Sequence, residues 1–437
     1  MQTITFNLQR AFGKFKPLNA TNGGPCHKRH AKDQYRSNYT TYKQARIPYS
    51  RNHDSNAFGV YGGPYAHDIT AIFPDFNADE NDPNSYDFAC TDESILCTLE
   101  AGTKTYFRLG QTIEHQIKKH GTIPPKDFSK WARICEHIIR HYTEGWANGF
   151  THDMPYWEIW NEPDLDDEDS PNKRCWGGTK AQFFDLYEIT AKHLKSCFPH
   201  LKIGGPGLAR NHEWAEEFLS EMQKRKTPID FFSWHVYSLD TAWIIRKSYI
   251  MREMLDKYGF TQTESHLNEW NYVKGWTDEF IYTLENIHSI KGASFVMSII
   301  CEAQKTPIDM LMYYDTRVGS TFNGAFDFYT LRPLKGYYPL KWYGEFYDLE
   351  NEVRAENSIE DIYTLCGVDK DGKITAIVSS FSDDDTKENK LLKIDFGKNA
   401  QFDIFLLDKD HDGELVKTTA DIILDMPVHS CVLIKEK

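Results

Sequence analysis

The sequence lacks an excess of positive charge. It has 50 lysine and arginine residues against 64 aspartate and glutamate residues, which gives a formal net charge of −14. Acidic residues cluster at positions 164–169, 383–385 and 408–412. Such a surface repels the phosphates of nucleic acid and the headgroups of an anionic membrane, so neither is expected as a partner. A neutral or cationic substrate is expected instead.

Long apolar runs are also missing. No stretch reaches the roughly 20 apolar residues that a membrane-spanning helix needs. The first ten residues alternate and stay polar, unlike a secretory signal. The sequence therefore predicts no membrane partner. It predicts a cytoplasmic protein, or a periplasmic or secreted one whose signal has been removed.

Cysteine-based and metal-binding signatures are weak. The nine cysteines show no regular spacing and cannot all pair, which favours free thiols in a reducing compartment. Cys26, His27 and His30 are metal-binding residue types, but no second ligand pair follows at a suitable spacing. Residues 408–413 resemble the opening of a calcium-binding loop, yet Thr419 stands where a glutamate is needed, so a hairpin turn is expected. The sequence predicts no metal and no cofactor.

The order of predicted elements is typical of an α/β barrel. A chain of 437 residues accommodates a barrel of roughly 250 to 350 residues and an accessory domain. Apolar patterning predicts strands at residues 3–8, 45–49, 103–109, 157–160, 201–203, 229–237, 265–271 and 309–315. Because helical segments alternate with these strands, we predict a parallel (β/α)8 TIM barrel over residues 15–349.

Two connections in this region have distinctive compositions. Residues 61–86 are rich in glycine, proline, aspartate and asparagine, which predicts a long loop. The glycines of residues 204–207 follow a predicted strand, but Arg210 occupies the place of the third glycine of a dinucleotide-binding fingerprint. We interpret this cluster as a tight turn and expect no nucleotide cofactor.

The pattern changes after residue 357. Short strands are predicted at residues 362–368, 374–380, 391–396, 402–407 and 431–435. They indicate an accessory antiparallel β-sandwich, which the N-terminal strand can join. We therefore predict two domains, the barrel over residues 15–349 and a β-sandwich of residues 1–14 plus 350–437.

One predicted strand carries an acid to its end. The alternating run of residues 157–160 leads into Asn161, Glu162 and Pro163. Proline cannot donate to a sheet, so pairing must end there and a loop must begin. Barrel enzymes keep their chemistry at such strand ends. Taken alone, the pattern fits an ordinary turn with a solvated glutamate equally well.

A second strand repeats the feature. Residues 265–271 contain Asn268 and Glu269, again an asparagine followed by a glutamate. The carboxyl ends of parallel barrel strands share one mouth, so Glu162 and Glu269 can converge. His235 and Tyr237 lie on one face of the preceding strand.

These motifs together resemble a known family, glycoside hydrolase family 39, whose members are retaining enzymes with a (β/α)8 barrel. The residues that carry the resemblance are Arg51-Asn52-His53-Asp54, Trp160-Asn161-Glu162-Pro163-Asp164, Ser233-Trp234-His235-Val236-Tyr237 and Asn268-Glu269-Trp270-Asn271. Their order and spacing agree over nearly the whole chain. The family architecture, a barrel followed by a β-sandwich that includes N-terminal residues, also fits.

The resemblance implies roles for individual residues. Glu162 becomes the general acid/base and Glu269 the nucleophile, with Arg51 and Tyr237 as donors that hold the nucleophile ionised. The implied substrate-binding residues are Asn161, Arg51, His53, His235, Tyr237, Trp270 and Tyr314. For Trp270 and Tyr314, stacking on a sugar and packing in the core are both open. Glu158 lies inside its strand and is expected to be a structural carboxylate with a partner.

The expected function is that of a retaining exo-acting glycoside hydrolase, most similar to a β-xylosidase, acting on plant-type oligosaccharides. One alternative is release of another terminal sugar or a disaccharide from galactose- or arabinose-containing glycans. Another is a carbohydrate-binding barrel without catalysis. Because no cationic cluster for a uronate can be assigned, an iduronidase is less favoured. No phosphate-binding glycine loop follows the last strands, which disfavours a phosphorylated substrate. The oligomeric state is open.

Overall fold

The computed structural model describes residues 1–26, 37–54, 65–210, 212–356 and 359–437. His27 and His30, two of the residues considered for a metal site, lie outside these ranges. So do residues 61–64, the start of the predicted loop. All nine cysteines fall within the described ranges, and no two of them form a disulfide.

Eight parallel strands close into a barrel, which confirms the predicted (β/α)8 fold. The barrel strands are β2 (Ala20–Asn22), β3 (Tyr49–Arg51), β4 (Lys104–Leu109), β5 (Tyr156–Ile159), β6 (Lys202–Leu208), β7 (Phe231–Tyr237), β8 (Glu264–Asn271) and β9 (Met310–Tyr313). Neighbouring strands pair in parallel around the ring, and β2 closes it by pairing with β9.

Helices cover the outside of the barrel. They are α1 (Tyr39–Ala45), α2 (Ile69–Ile72), α3 (Ala89–Glu100), α4 (Phe128–Thr143), α5 (Lys180–Cys197), α6 (His212–Lys224), α7 (Thr241–Lys257), α8 (Phe280–Ile287), α9 (Ile290–Ala303) and α10 (Tyr337–Gly344). Thr179 caps α5 through a capping box with Gln182, because each side chain bonds the other residue's main-chain N–H. Within the described residues, no helix is both long and apolar enough to cross a bilayer.

Two strand assignments made from the sequence were wrong. The first barrel strand is β2, not residues 3–8, and residues 45–49 hold the end of α1 and the start of β3. Both β2 and β3 have only three residues, too few for a period of two to be recognisable. The predicted loop at residues 61–86 contains α2 and a 3₁₀ helix, Pro83–Ser85.

The tight turn predicted at residues 204–207 was also wrong, because these residues belong to strand β6. A Cβ on Gly204 would lie 2.1 Å from the carbonyl oxygen of Phe231. Glycine is therefore needed here for the close approach of two strands rather than for a turn.

Nine strands form the second sheet. They are β1 (Gln2–Ala11), β10 (Asn351–Glu356), β11 (Ile362–Val368), β12 (Ile374–Ser380), β13 (Lys390–Asp395), β14 (Phe402–Leu407), β15 (Asp412–Thr419), β16 (Ile422–Met426) and β17 (Ser430–Glu436). All neighbours are antiparallel except β1 and β13, which run parallel, so the accessory sheet is mixed. β14 and β15 form an antiparallel pair, which confirms the predicted hairpin.

The accessory sheet folds around its own core and packs on the barrel. Ile4 of β1, Ile404 of β14 and Leu424 of β16 belong to one buried apolar cluster, although β14 and β16 lie near opposite edges of the sheet. On the barrel side, Ser298 of α9 hydrogen-bonds Ser379 of β12 at 3.0 Å. The fold thus joins β1 to the C-terminal strands.

Candidate active site

Glu162 leaves β5 on a strained turn. The strand ends at Ile159, and Trp160 and Glu162 have positive φ angles of 73° and 46°. Such angles are uncommon for residues with a side chain and persist only where the surroundings enforce them. Pro163 prevents further pairing, and the Glu162 N–H donates to the carbonyl oxygen of Gly207 at 2.9 Å. The turn fixes the carboxyl group at the end of β5.

A β-bulge directs Glu269 into the barrel. Side chains of a regular strand alternate between its two faces, yet Asn268 and Glu269 both bond to side chains inside the barrel. The pairing of β7 with β8 shifts between Trp234 and His235, so that Asn268 is an extra residue in the register. An extra residue of this kind re-aims the side chains around it.

The two carboxyl groups meet at His235. Its Nδ1 lies 2.8 Å from Oε1 of Glu162 and 3.5 Å from Oε2 of Glu269. One oxygen of each carboxyl group and one ring nitrogen all lie within 4.8 Å of one another. This spacing matches the separation of about 5 Å that a double displacement at a sugar carbon requires.

Arg51 lies beneath both carboxyl-bearing strand ends. The side chain is fully buried. Its Nη1 donates to Glu269 and its Nη2 to the Oδ1 of Asn161, each at 2.6 Å. Its Nε donates to Glu158 at 2.6 Å. Since all of these contacts are internal, the expectation that Arg51 binds substrate is corrected: the guanidinium orients the groups above it.

Glu158 is a structural carboxylate, as its position inside the strand predicted. It is completely buried. Besides Arg51, it accepts hydrogen bonds from Ser233 Oγ and Asn268 Nδ2, both at 2.6 Å. Buried charges are stable in proteins when they are paired and hydrogen-bonded in this way.

Gly207 has no side chain, and the hydrogen-bonded side chains of Arg51 and Glu158 lie close to its Cα. A Cβ at this position would lie 3.2 Å from His235 Nε2, 3.3 Å from Glu158 Oε1 and 3.4 Å from Arg51 Nη2. The residue also has a φ of +65°, which favours glycine.

His53, Tyr237 and Tyr314 surround Glu269. The Tyr237 hydroxyl donates to Oε2 of Glu269 at 2.8 Å, and Nε2 of His53 lies 3.6 Å from Oε1. The Tyr314 hydroxyl donates to Asp54 at 3.3 Å, and its ring centre lies 6.1 Å from that of Tyr237. These side chains form one wall beside the carboxyl pair.

The two carboxyl groups differ in their electrostatic surroundings. Burial, with the charge of Asp164, raises the pKa of Glu162 to about 8. Burial also raises the pKa of Glu269, but His235, Arg51 and the hydrogen bond from Tyr237 act in the opposite direction. The predicted donors therefore oppose the dominant effect of burial on Glu269.

Both site histidines are neutral at physiological pH. Burial lowers the pKa of His235 to about 4, with the Arg51 guanidinium adding to the effect. Burial, followed by the charges of Arg51 and Arg108, lowers the pKa of His53 well below its ordinary value. A neutral imidazole carries one N–H and one acceptor nitrogen, so each ring can bind a hydroxyl or a carboxyl group in either sense.

The acidic segment at residues 164–169 supports the Glu162 turn. Asp164 accepts hydrogen bonds from the main-chain N–H groups of Ala209 and Arg210 at 2.7 and 3.0 Å. Asp166 binds Arg174 through two guanidinium nitrogens at 2.9 and 2.7 Å. The carboxylates of Asp164 and Asp166 are thus hydrogen-bonded to residues of neighbouring loops.

A comparison with known families agrees with the fold. The model of the glycosyl hydrolases family 39 matches residues 2–306. The chain belongs to this family.

Individual relatives support the assignment. A β-xylosidase of Geobacillus stearothermophilus is 29% identical over 185 residues, which is 39% of this chain and 34% of that protein. A solved glucosidase structure from Croceicoccus marinus superimposes with a TM-score of 0.80 at 22% identity, covering 100% of this chain and 99% of that one. A GH39 β-xylosidase structure from Caulobacter crescentus gives a TM-score of 0.71 at 16% identity, covering 100% of both chains. The match to the curated β-xylosidase spans about a third of its length, and the two structures show a shared fold.

Within this family 39 barrel, Trp270 does not reach the mouth. The side chain is completely buried, and its ring centre lies 6.2 Å from Phe295 of α9 and 5.9 Å from Tyr313 of β9. It faces away from Glu269 because neighbouring residues of the strand point to opposite sides. Of the two roles expected for Trp270, stacking on a sugar is therefore wrong, and the residue packs in the core.

Lys247 lies next to the site but was not predicted from the sequence to be a site residue. It lies on the buried face of α7, and its Nζ donates to the main-chain oxygen of His235 at 2.8 Å. Burial lowers the pKa of this lysine to about 8. The available signal was a lysine on the same helical stripe as Ile244 and Met251.

Two groups of described side chains have the geometry to hold a metal ion. One is Glu136, His193 and Cys197, where Glu136 already binds Arg140 at 2.8 Å. The other is the site itself, Glu162, His235 and Glu269. A cation there would occupy both carboxyl groups, so the absence of a metal cofactor stays a prediction.

Proposed function

We propose that the protein is a retaining, exo-acting glycoside hydrolase in which Glu162 is the acid/base and Glu269 the nucleophile. The observation that carries the proposal is the spacing of the carboxyl oxygens of Glu162 and Glu269, which lie within 4.8 Å of each other. Inverting enzymes need a wider separation because a water molecule must fit between the sugar and the base.

The pKa of Glu162 supports its role. A group with a pKa of about 8 is protonated at neutral pH and can donate to the leaving oxygen. Glu269, which accepts hydrogen bonds from Arg51 and Tyr237, attacks the anomeric carbon and forms a covalent glycosyl intermediate. Glu162 is then ionised and takes a proton from the water that hydrolyses the intermediate.

The surrounding polar groups bind sugar hydroxyls. Oδ1 of Asn161 accepts from Arg51, so the Nδ2 of Asn161 is the donor that faces a hydroxyl next to the anomeric carbon. His53 and Tyr314 belong to the wall beside Glu269, and the buried Nδ1 of His53 has no hydrogen-bond partner among the residues that the structure describes. A bound glycone supplies partners for such groups.

The proposed substrate is a terminal xylose on a plant-type oligosaccharide, by analogy with the β-xylosidases among the relatives. Another terminal sugar is the first alternative, and a glucoside follows from the glucosidase with the similar fold. A binding barrel without catalysis is disfavoured because both carboxyl groups are present and lie in contrasting environments.

A panel of glycosides tests the proposal. Wild type, Glu162→Ala and Glu269→Ala are assayed with aryl xylosides, glucosides, galactosides and arabinosides and with natural oligosaccharides. Azide is expected to give a glycosyl azide of inverted configuration with Glu269→Ala and of retained configuration with Glu162→Ala. The reverse pattern would exchange the two roles. Binding of oligosaccharides without turnover of any glycoside would establish the binding barrel instead.

A further inference from the structure

Trp276 is an exposed aromatic residue next to the catalytic pair. It follows β8 in the connection to α8, and 57% of its surface is accessible. Its ring centre lies 5.4 Å from that of Tyr237, with the two rings nearly perpendicular at 79°. Tyr237 in turn donates to Glu269 at 2.8 Å. One side chain therefore separates the exposed indole from the proposed nucleophile.

Further rings extend this contact into a continuous surface. The ring centre of Phe322 lies 5.9 Å from that of Trp276 and 5.8 Å from that of Tyr314. Phe280 stacks on Trp276 at 6.1 Å and an interplanar angle of 22°. We refer to Tyr237, Tyr314, Phe322, Trp276 and Phe280 as the aromatic wall. It leads from the buried pocket to the outer surface.

Packing alone does not account for the exposed end of this wall. The other tryptophans close to the catalytic strands, such as Trp160, Trp234 and Trp270, are buried almost completely. A large exposed apolar side chain beside a catalytic pocket is typical of a ligand-binding surface. Exposed polar residues, Thr277, Asp278 and Glu279, follow Trp276 directly and offer hydrogen-bonding groups near the ring.

The position of the aromatic wall indicates which part of a bound substrate would contact it. The glycone must lie between Glu162 and Glu269, where Asn161 and His53 are only 2% and 4% exposed. An exo-acting enzyme holds a single sugar in that buried end. The leaving group is then the part of the substrate that extends past Tyr237 toward solvent.

We propose that the exposed end of the aromatic wall, at Trp276, is a subsite for the leaving-group sugar, whose apolar C–H face stacks on the indole of Trp276. The proposal rests on the function proposed above and adds the residue that meets the leaving-group sugar. Stacking on an aromatic face contributes little to the chemical step, so the expected effect is on binding.

Two substrates that share a glycone test the proposal. One is the disaccharide of the sugar released in the panel above, and the other is the corresponding glycosyl fluoride, which has no leaving-group sugar. Trp276→Ala is expected to raise KM for the disaccharide about 10-fold. Its kcat/KM for the fluoride should fall by no more than about threefold, because stacking with a leaving-group sugar is absent from that reaction. Trp276→Tyr should recover much of the disaccharide binding.

Tyr249→Ala is the matched control, since Tyr249 is 47% exposed on α7 and belongs to neither the pair nor the wall. It should behave as wild type with both substrates. If Trp276→Ala lost activity equally on both substrates, the ring would belong to the glycone pocket. If its KM for the disaccharide were unchanged, the ring would not bind substrate. Either result overturns the proposed subsite. A wild type that cleaves neither substrate would instead overturn the proposed function on which the subsite depends.

Discussion

Nδ1 of His235 lies 2.8 Å from Oε1 of Glu162. The ring is buried and neutral, since its pKa is lowered to about 4. A neutral imidazole can donate from Nδ1 to an ionised carboxylate or accept at Nδ1 from a protonated acid. The contact therefore serves both protonation states that the proposed mechanism needs at Glu162.

The first prediction concerns the pH dependence of activity. The protonated form of Glu162 is the proposed acid, and its pKa is raised to about 8 by burial and by Asp164. The kcat/KM of the wild type should be level near neutral pH and fall above about pH 8. Glu162→Gln should reduce kcat/KM for a poor leaving group by about 10²- to 10⁴-fold. A pH profile from 5 to 10 that instead fell from about pH 5 would exclude Glu162 as the acid.

The same group makes folding stability depend on pH. The folded protein keeps the Glu162 proton up to about pH 8, whereas the unfolded chain releases it near the ordinary glutamate pKa of about 4.3. The contribution of this proton to stability is therefore complete below the unfolded pKa and is lost as pH rises toward 8. Relative to Glu162→Gln, the free energy of unfolding of the wild type should fall by up to about 1.4 kcal/mol per pH unit in this window. Urea unfolding at several pH values measures it, and parallel curves for the two proteins would contradict it.

Lys247 is predicted to position His235. Lys247→Met removes the donor to the His235 carbonyl oxygen and should lower kcat about 10-fold or more for a poor leaving group, because small displacements of catalytic groups are costly. Substrates with dinitrophenolate leaving groups, which need little acid assistance, should be affected less. Lys247→Arg should retain most activity, and the alkaline limb set by Glu162 should persist in Lys247→Met.

Lys291→Met is the matched control for Lys247. Lys291 is 2% exposed on α9 and binds Asp383 and Asp385 beside the accessory sheet, away from the carboxyl pair. Its loss should lower stability by about 1 to 3 kcal/mol without a dependence on the leaving group. Equal leaving-group dependence in both variants would show that the effect of Lys247 is one of general stability.

The proximity of Glu162 and Glu269 could be anticipated from sequence because barrel topology carries much of the information. Strand ends in a parallel barrel share one mouth, so Glu162 and Glu269 could be placed together from their strands alone. The three-residue strands β2 and β3 could not be located in the same way, since they are too short to show a period. The sequence position of Arg51 suggested a ligand-binding residue, but its role beneath the pair depends on burial.

The features that were missed depend on spatial neighbours rather than on local pattern. Lys247 bonds a main-chain carbonyl group, which has no signature in the sequence. Trp276 lies in a connection whose direction is set by contacts with Tyr237 and Phe322. The bulge at Asn268 also breaks the alternation on which a sequence-based assignment of strand faces relies.

Glu158→Gln tests the buried network below the pair. In the described part of the chain, the side chains that hydrogen-bond the carboxylate are all donors, namely Arg51, Ser233 and Asn268. An amide nitrogen would face one of these donors, so stability should fall by about 3 to 5 kcal/mol. Ser233→Ala, which removes a single donor, should cost about 1 to 2 kcal/mol. Urea unfolding measures both, and azide should not restore activity to Glu158→Ala; restoration would make Glu158 a rival for the catalytic role.

Substitution of Trp270 should affect stability, whereas substitution of Tyr314 should affect substrate binding. Trp270→Phe shrinks a ring packed against Phe295 and Tyr313, so we expect a loss of about 1 to 2 kcal/mol in the free energy of unfolding and an unchanged KM. The indole N–H has no hydrogen-bond partner in the described part of the chain, so no hydrogen bond within that part is lost with it. Tyr314→Ala removes part of the wall beside Glu269 and should raise KM about 10-fold. Urea unfolding and steady-state kinetics on both variants make the comparison: an increase in KM for Trp270→Phe as large as that for Tyr314→Ala would mean that the indole ring does reach the sugar.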